Sequence, residues 1–131
     1  MRTTKFRAWS TTNKKFYYRV IVGNTENDDP CSSIWDEDEE TWKEFDKFCG
    51  IIQQYTGIRD SKGIDIYEGD LLEFAYTDNK KFVGKVEYEE KFACFVLVTE
   101  NAFETFSDLA DYTSSFKVIG NIFENETKPN E

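Results

Sequence analysis

Gln54-Tyr55-Thr56-Gly57-Ile58-Arg59-Asp60-Ser61-Lys62-Gly63-Ile64-Asp65-Ile66-Tyr67-Glu68-Gly69-Asp70-Leu71-Leu72-Glu73-Phe74 is the stretch on which the fold turns. Short apolar runs are punctuated by Asp60-Ser61-Lys62-Gly63 and by Glu68-Gly69-Asp70. Asp, Ser and Gly are turn residues, because Asp and Ser side chains bond nearby backbone and Gly accepts positive φ. The runs between them alternate or are β-branched, which predicts strands rather than helices. Thr56-Gly57 reads as a bulge or close backbone approach. Asp70, placed before an apolar strand, reads as a structural residue that caps backbone N–H groups at the strand entry.

The same rhythm continues towards the C-terminus. Residues 71–76, 82–88 and 92–98 are expected strands, separated by turns at 77–80 and 89–91. Phe103, Phe106 and Leu109 recur every three residues, so 103–111 is expected as a short helix. Residues 116–123 should form a closing strand, and the polar tail after it should fray. Short strands at regular spacing predict a mainly β fold: a small, strongly curved sheet or open, Src-homology-3-like β-barrel. Gly69 and Gly84 stand where such a sheet would bend.

Towards the N-terminus, Lys5-Phe6-Arg7-Ala8-Trp9 alternates, Ser10-Thr11-Thr12-Asn13 is turn chemistry, and 15–22 is β-branched and aromatic. A hairpin is expected, with Phe16, Tyr18, Val20 and Val22 on one face. Residues 26–33 read as a loop. Beyond it, Ser32 or Ser33 is a candidate N-cap for a helix running to Gly50, with acids in the first turn and Trp35, Trp42, Phe45 and Cys49 on one face. The expected organisation is a hairpin at 1–25, an acidic loop and helix at 26–50, a barrel core at 51–124 and a tail at 125–131, packed as one unit.

The 131 residues include 26 Asp+Glu, 16 Lys+Arg and no His, for a net charge of −10. The 12 Phe, 7 Tyr and 3 Trp supply enough bulk for a core, which excludes disorder over most of the chain. The absent histidine excludes Ser-His-Asp and Cys-His machinery and any His-containing zinc site. No spacing singles out a carboxylate pair for hydrolysis, and no glycine-rich phosphate loop follows a strand. Residues 36–40 are rich in oxygen ligands but lack the spacing of a calcium loop. A non-enzymatic protein without metal or cofactor is expected. The N-terminus lacks the apolar core of a signal peptide, and no apolar run is long enough to span a membrane. Cys31, Cys49 and Cys94 are widely spaced and odd in number, as for reduced thiols.

Charge is sharply segmented. Residues 1–25 hold six basic side chains and no acid, whereas residues 26–46 hold ten acids and one base. The two segments could neutralise each other, or the acidic one could face a basic partner.

Three blocks carry a resemblance: Lys5-Phe6-Arg7-Ala8-Trp9, the stretch from Gln54 to Asp70, and Val118-Ile119-Gly120-Asn121-Ile122-Phe123-Glu124-Asn125. In this spacing the chain resembles the YopX family of bacteriophage and prophage proteins of low-GC Gram-positive hosts, over almost its whole length. One departure is Asn125-Glu126, where the family pattern has Asn-Pro. The resemblance implies a small all-β module, a phage origin and a place in the host cytoplasm. It brings no catalytic residues, and it puts residues 26–46 in the family's variable middle.

Two candidate surfaces follow. The first is acidic and aromatic: Trp35, Asp36, Glu37, Asp38, Glu39, Glu40, Trp42, Glu44 and Asp46. Negative charge beside aromatic anchors could imitate a phosphate backbone and occupy a basic nucleic-acid channel on a host protein, as an inhibitor of host defence or nucleic-acid machinery. The second is the basic, aromatic hairpin, where Lys5, Arg7, Lys14, Lys15 and Arg19 could bind single-stranded nucleic acid. A third possibility is a structural role in which surplus aromatics pack between copies of the chain.

Overall fold

The computed structural model describes residues 3–24, 30–44, 50–75, 80–100, 103–106, 109 and 115–124. The protein is mainly β, and no α-helix occurs among the described residues. The chain divides into two units, residues 1–55 and 56–131.

In the first unit, β1 (Phe6–Ser10) and β2 (Lys15–Tyr17) form the expected antiparallel hairpin, with Trp9 opposite Phe16. The other edge of β1 pairs with the first half of β6 (Gly50–Arg59), so that Ala8 faces Ile52. The strand expected over 15–22 is interrupted at Tyr18 and Arg19. It resumes as β3 (Val20–Asn24), which leaves β1 and pairs with β4 (Pro30–Asp36). The break shifts the pleat. Tyr17 and Val20, not Tyr18 and Val22, pack with Ile52 against buried Ala8 and Ile34.

The helix expected from Ser32 or Ser33 to Gly50 is not formed across residues 30–44. β4 turns through residues 37–40 into β5 (Thr41–Glu44). Two signals were shared between helix and hairpin. A spacing of seven is two helical turns, but across this four-residue turn it is also a direct cross-strand pair: Trp35 lies opposite Trp42. The rings meet edge to face at 5.4 Å. The acids from Asp36 to Glu39 suit the first turn of a helix, but here they form the hairpin turn itself, where Asp36 accepts the Asp38 and Glu39 N–H groups. Ile34, Trp35, Thr41 and Trp42 are β-formers, and their cross-strand packing decides between the two. Phe45, Asp46 and Cys49 lie outside the described residues.

In the second unit, β8 (Asp70–Ala75), β9 (Lys81–Glu89), β10 (Cys94–Val98), β11 (Phe103–Thr105) and β12 (Lys117–Asn121) form an antiparallel sheet of order β11-β10-β9-β8-β12. The order is linear, and no pairing among the described residues closes this sheet into a barrel. The second half of β6 lies beside β7 (Asp65–Tyr67). Leu72 and Phe74 alternate inward on β8. Val86 and Leu97 oppose each other across β9 and β10 on the same face. They enclose a core with Ile66, Phe106, Leu109 and Phe116. Phe116 meets both Phe74 and Phe106 edge to face, at 5.9 and 5.7 Å. Cys94 is a free, half-buried thiol.

Residues 103–105 are strand rather than the start of a helix. Phe106 and Leu109 do face the core, at two turn positions tied by a Leu109 N–H bond to the Thr105 carbonyl. Residues 107, 108, 110 and 111 of that expected helix lie outside the described residues. The strand expected from Phe92 begins later, at Cys94, because Ala93 adopts positive φ (51°) in the preceding turn.

The deciding stretch is built as its turns imply. Asp70 is buried, and its Oδ2 accepts the Tyr67 N–H at 2.8 Å. Gly69, at φ 86°, donates to the Val86 carbonyl and accepts from Ile122, which joins the turn to β9 and the end of β12. Asp60 goes further than the sequence indicated. Its buried carboxylate accepts Lys62 N–H at 2.8 Å, Ile64 N–H at 2.9 Å and Val118 N–H at 3.0 Å. Burial raises the cost of its charge, but these backbone bonds prevail and hold the carboxyl below its ordinary pKa. Asn121 closes β12 in the same manner, its Oδ1 accepting Phe123 and Glu124 N–H groups at 2.9 Å.

Candidate functional site

The acidic run occupies the tip of the β4–β5 hairpin. Asp36 Oδ1 accepts the Asp38 and Glu39 N–H groups at 2.9 and 3.1 Å, and Glu40 closes the turn at φ 51°. Lys43 Nζ reaches both Asp36 Oδ2 and Glu39 Oε2 at 2.9 Å. The Lys43 hydrogen bond is the main reason the Asp36 carboxyl lies below its usual range. The bonds it donates to Glu39 and then to Asp36 hold the Lys43 ammonium above its own. Asp36 and Glu39 are thus engaged in forming the turn. Glu37, Asp38 and Glu40 are exposed, with no ion pair among the described residues. Glu44 is exposed on β5, opposite Ser33.

The basic set divides. Arg7 is buried; its Nε donates to Gln53 Oε1 at 2.9 Å and its guanidinium lies 4.1 Å from the Phe16 ring centroid. It holds β1 to β6 and is not displayed. Lys5 lies half-buried, its ammonium 4.7 Å from the Tyr55 ring. Lys14 is exposed in the hairpin turn at φ 56°. Lys15 is exposed, its ammonium 4.8 Å from the Tyr17 ring. Arg19 accepts the Trp35 N–H at its carbonyl, at 3.0 Å, which sets the two residues side by side. Its guanidinium then lies 4.4 Å from the Trp35 ring and 5.8 Å from the Trp42 ring.

The two surfaces that looked like rivals border one groove of about 620 Å³. The segment from β2 contributes Lys15, Phe16, Tyr17, Tyr18 and Arg19, with Asn13 behind them donating from Nδ2 to the Tyr17 hydroxyl at 3.0 Å. The β4–β5 hairpin contributes Trp35, Asp36, Glu37 and Asp38. Glu39, Glu40, Trp42 and Glu44 are exposed beyond it, and Lys5, Arg7 and Lys14 do not line it. Asp46 lies outside the described residues. The groove itself, with Asn13 and Phe16 in its lining, was not apparent in the sequence. The one signal was the run of basic and aromatic residues from Lys14 to Arg19. Chemically the site offers two cations, three carboxylates and a set of aromatic rings, which suits recognition of a charged ligand.

Among the described residues no group of three or more Cys, Asp or Glu side chains converges as a cation site. No helix among them is long and apolar enough to cross a membrane.

Comparison with known proteins adds a frame. No curated protein matches the chain. Among solved structures, protein EF1440 from Enterococcus faecalis is 24% identical, over 96% of this chain and 97% of that one, with a TM-score of 0.67. Protein yopX from Bacillus subtilis is 14% identical over the same shares, with a TM-score of 0.68. At these identities the likeness establishes a common fold. A family model described as YopX protein matches residues 5–128. With that match running from the first hairpin past the closing strand, the chain belongs to the YopX family.

Proposed function

We propose that this is a phage-encoded, non-enzymatic protein of the host cytoplasm that binds a basic surface of a host protein through its β4–β5 hairpin. In this reading the second unit is an open, Src-homology-3-like scaffold, and the tip stands in for a nucleic-acid backbone. One observation carries it: the turn is held by Asp36, Glu39 and Lys43, while Glu37, Asp38 and Glu40 remain exposed without an ion pair among the described residues. The placement of the basic residues supports it too. Arg7 is buried, and Lys15 and Arg19 share their groove with carboxylates that repel phosphate. That weakens the alternative of a nucleic-acid-binding ribbon.

The test is affinity capture from host lysate with the Glu37→Gln, Asp38→Asn, Glu40→Gln triple variant, which spares the residues that build the turn. Capture of a host protein should be lost in the variant. In the wild type it should weaken with salt and be displaced by heparin. Capture that survives both the variant and the polyanion overturns the reading.

A further inference from the structure

The Lys15 to Asp38 groove is more selective than an acidic surface needs to be. Its border carries both charge signs: Lys15 and Arg19 come from one segment, Asp36, Glu37 and Asp38 from the other. Aromatic side chains lie between them. Tyr18, at 61% exposure, takes no part in the core. Trp35 is half-buried with Arg19 against its ring. A volume of about 620 Å³ falls within the roughly 300–1,000 Å³ typical of ligand-binding clefts. β2, which supplies one side, is the edge strand of its sheet, the position along which an extended chain can lie.

Resting on the proposed host-protein reading, we propose that the groove binds an extended peptide segment of the partner that carries both charge signs. Its cationic side chain faces Glu37 and Asp38, an apolar side chain packs on Tyr18 and Trp35, and its carboxylate faces Lys15 and Arg19. Charge complementarity selects this occupant. A single-stranded nucleic acid gains from the cations and rings but meets the carboxylates at every phosphate. A purely basic peptide matches only the hairpin side, and a purely acidic one only the β2 side.

The probes are acetylated, amidated Gly-Arg-Leu-Glu-Gly, its all-basic form Gly-Arg-Leu-Arg-Gly, its all-acidic form Gly-Glu-Leu-Glu-Gly, and a short oligothymidine. Each is titrated into the full-length protein at low salt, read by tryptophan fluorescence and by backbone amide shifts. The mixed-charge peptide should saturate at millimolar concentration or below, moving the Tyr18, Arg19 and Asp38 amides. It should bind at least about fivefold more tightly than either single-sign peptide. Lys15→Glu should shift preference to the all-basic peptide, and Tyr18→Ala should weaken all of them. No saturation below about 5 mM, equal binding of the three peptides, or tighter binding of oligothymidine overturns the proposal. Amide shifts in the wild type decide the point even if a variant misfolds.

The two readings separate cleanly. Host-protein capture that persists in Lys15→Glu and Tyr18→Ala, with no peptide binding, removes the groove and leaves the acidic surface. Peptide binding that weakens in the triple tip variant while capture is unchanged keeps the groove as a peptide site and removes the host-protein reading.

Discussion

Asp60 holds three backbone donors with one carboxylate, and replacing it should cost more than any surface position. Lys62 and Ile64 are exposed, so their N–H groups regain water when the carboxylate is removed; about 1 kcal/mol each is then lost. Val118 is half-buried on β12, and its bond to a charged acceptor is worth about 2 kcal/mol. Asp60→Ala should therefore destabilise the second unit by about 4 kcal/mol. Asp60→Asn is the more discriminating change. Its oxygen can still accept from Lys62 and Ile64, but its amide nitrogen would face the Val118 N–H, donor against donor, at a cost of about 2 kcal/mol. With a urea slope of about 2 kcal/mol per molar, the midpoints should fall by about 2 M and 1 M.

The pH dependence follows from the lowered carboxyl. Its folded pKa lies below the unfolded one, so its stabilisation is complete above the ordinary Asp value of about 3.9 and is lost as pH falls through the folded value. The gap between wild type and Asp60→Asn should be constant above about pH 5 and close in acid. Amide hydrogen exchange at Val118 supplies the local readout. An Asn variant with unchanged exchange at Val118, or with the wild-type urea midpoint, refutes the reasoning.

Three further outcomes are expected. An added Cβ at Gly84 would lie 2.7 Å from Leu97 Cγ and 3.2 Å from the Val98 carbonyl, so Gly84→Ala should cost about 1–3 kcal/mol in urea unfolding. Adding Leu97→Ala should cost less than the two single changes summed, because the clash disappears with the leucine. Asp36→Asn should loosen the hairpin tip and weaken the far-UV exciton signal of the Trp35–Trp42 pair. In the wild type that signal should hold at neutral pH, fade in acid as Asp36 protonates below its ordinary pKa, and fade in alkali only above the ordinary lysine value, as Lys43 deprotonates. Arg7→Ala leaves the buried Gln53 oxygen without its Arg7 donor and should cost about 2–4 kcal/mol by thermal unfolding, whereas Lys14→Ala should change stability by less than about 0.5 kcal/mol.

Strands with turn residues at their ends were legible in the sequence because their signals are local. Asp70 and Gly69 announce a tight turn, and the alternation at Leu72 and Phe74 names an inward face. Residues 30–44 were misread because the local signals there serve two structures equally. Trp35 and Trp42 are seven apart in either, and the acidic run from Asp36 suits the first turn of a helix as well as the turn of a hairpin. Only the cross-strand partners separate them, and those are not local. The break at Tyr18 and Arg19 was hidden for a related reason: an uninterrupted β-forming run does not say which neighbour each half will pair with. The members of the site were mostly visible as two opposed charge blocks. That they border a single groove depends on β3 carrying the chain back to β4, which no residue pattern reports.

The β4–β5 hairpin also has the geometry of an arm whose reach is set in discrete steps. Its ladder from Ser33 and Glu44 to Asp36 and Thr41 lies wholly behind the acidic turn. One residue inserted in each strand would extend the tip by about 3.4 Å and turn its charged side chains to the opposite face. Two in each would extend it by about 7 Å and restore the original face. Length variants at this one turn would therefore explore depth and orientation of contact separately, with the Trp35–Trp42 pair as a fixed base.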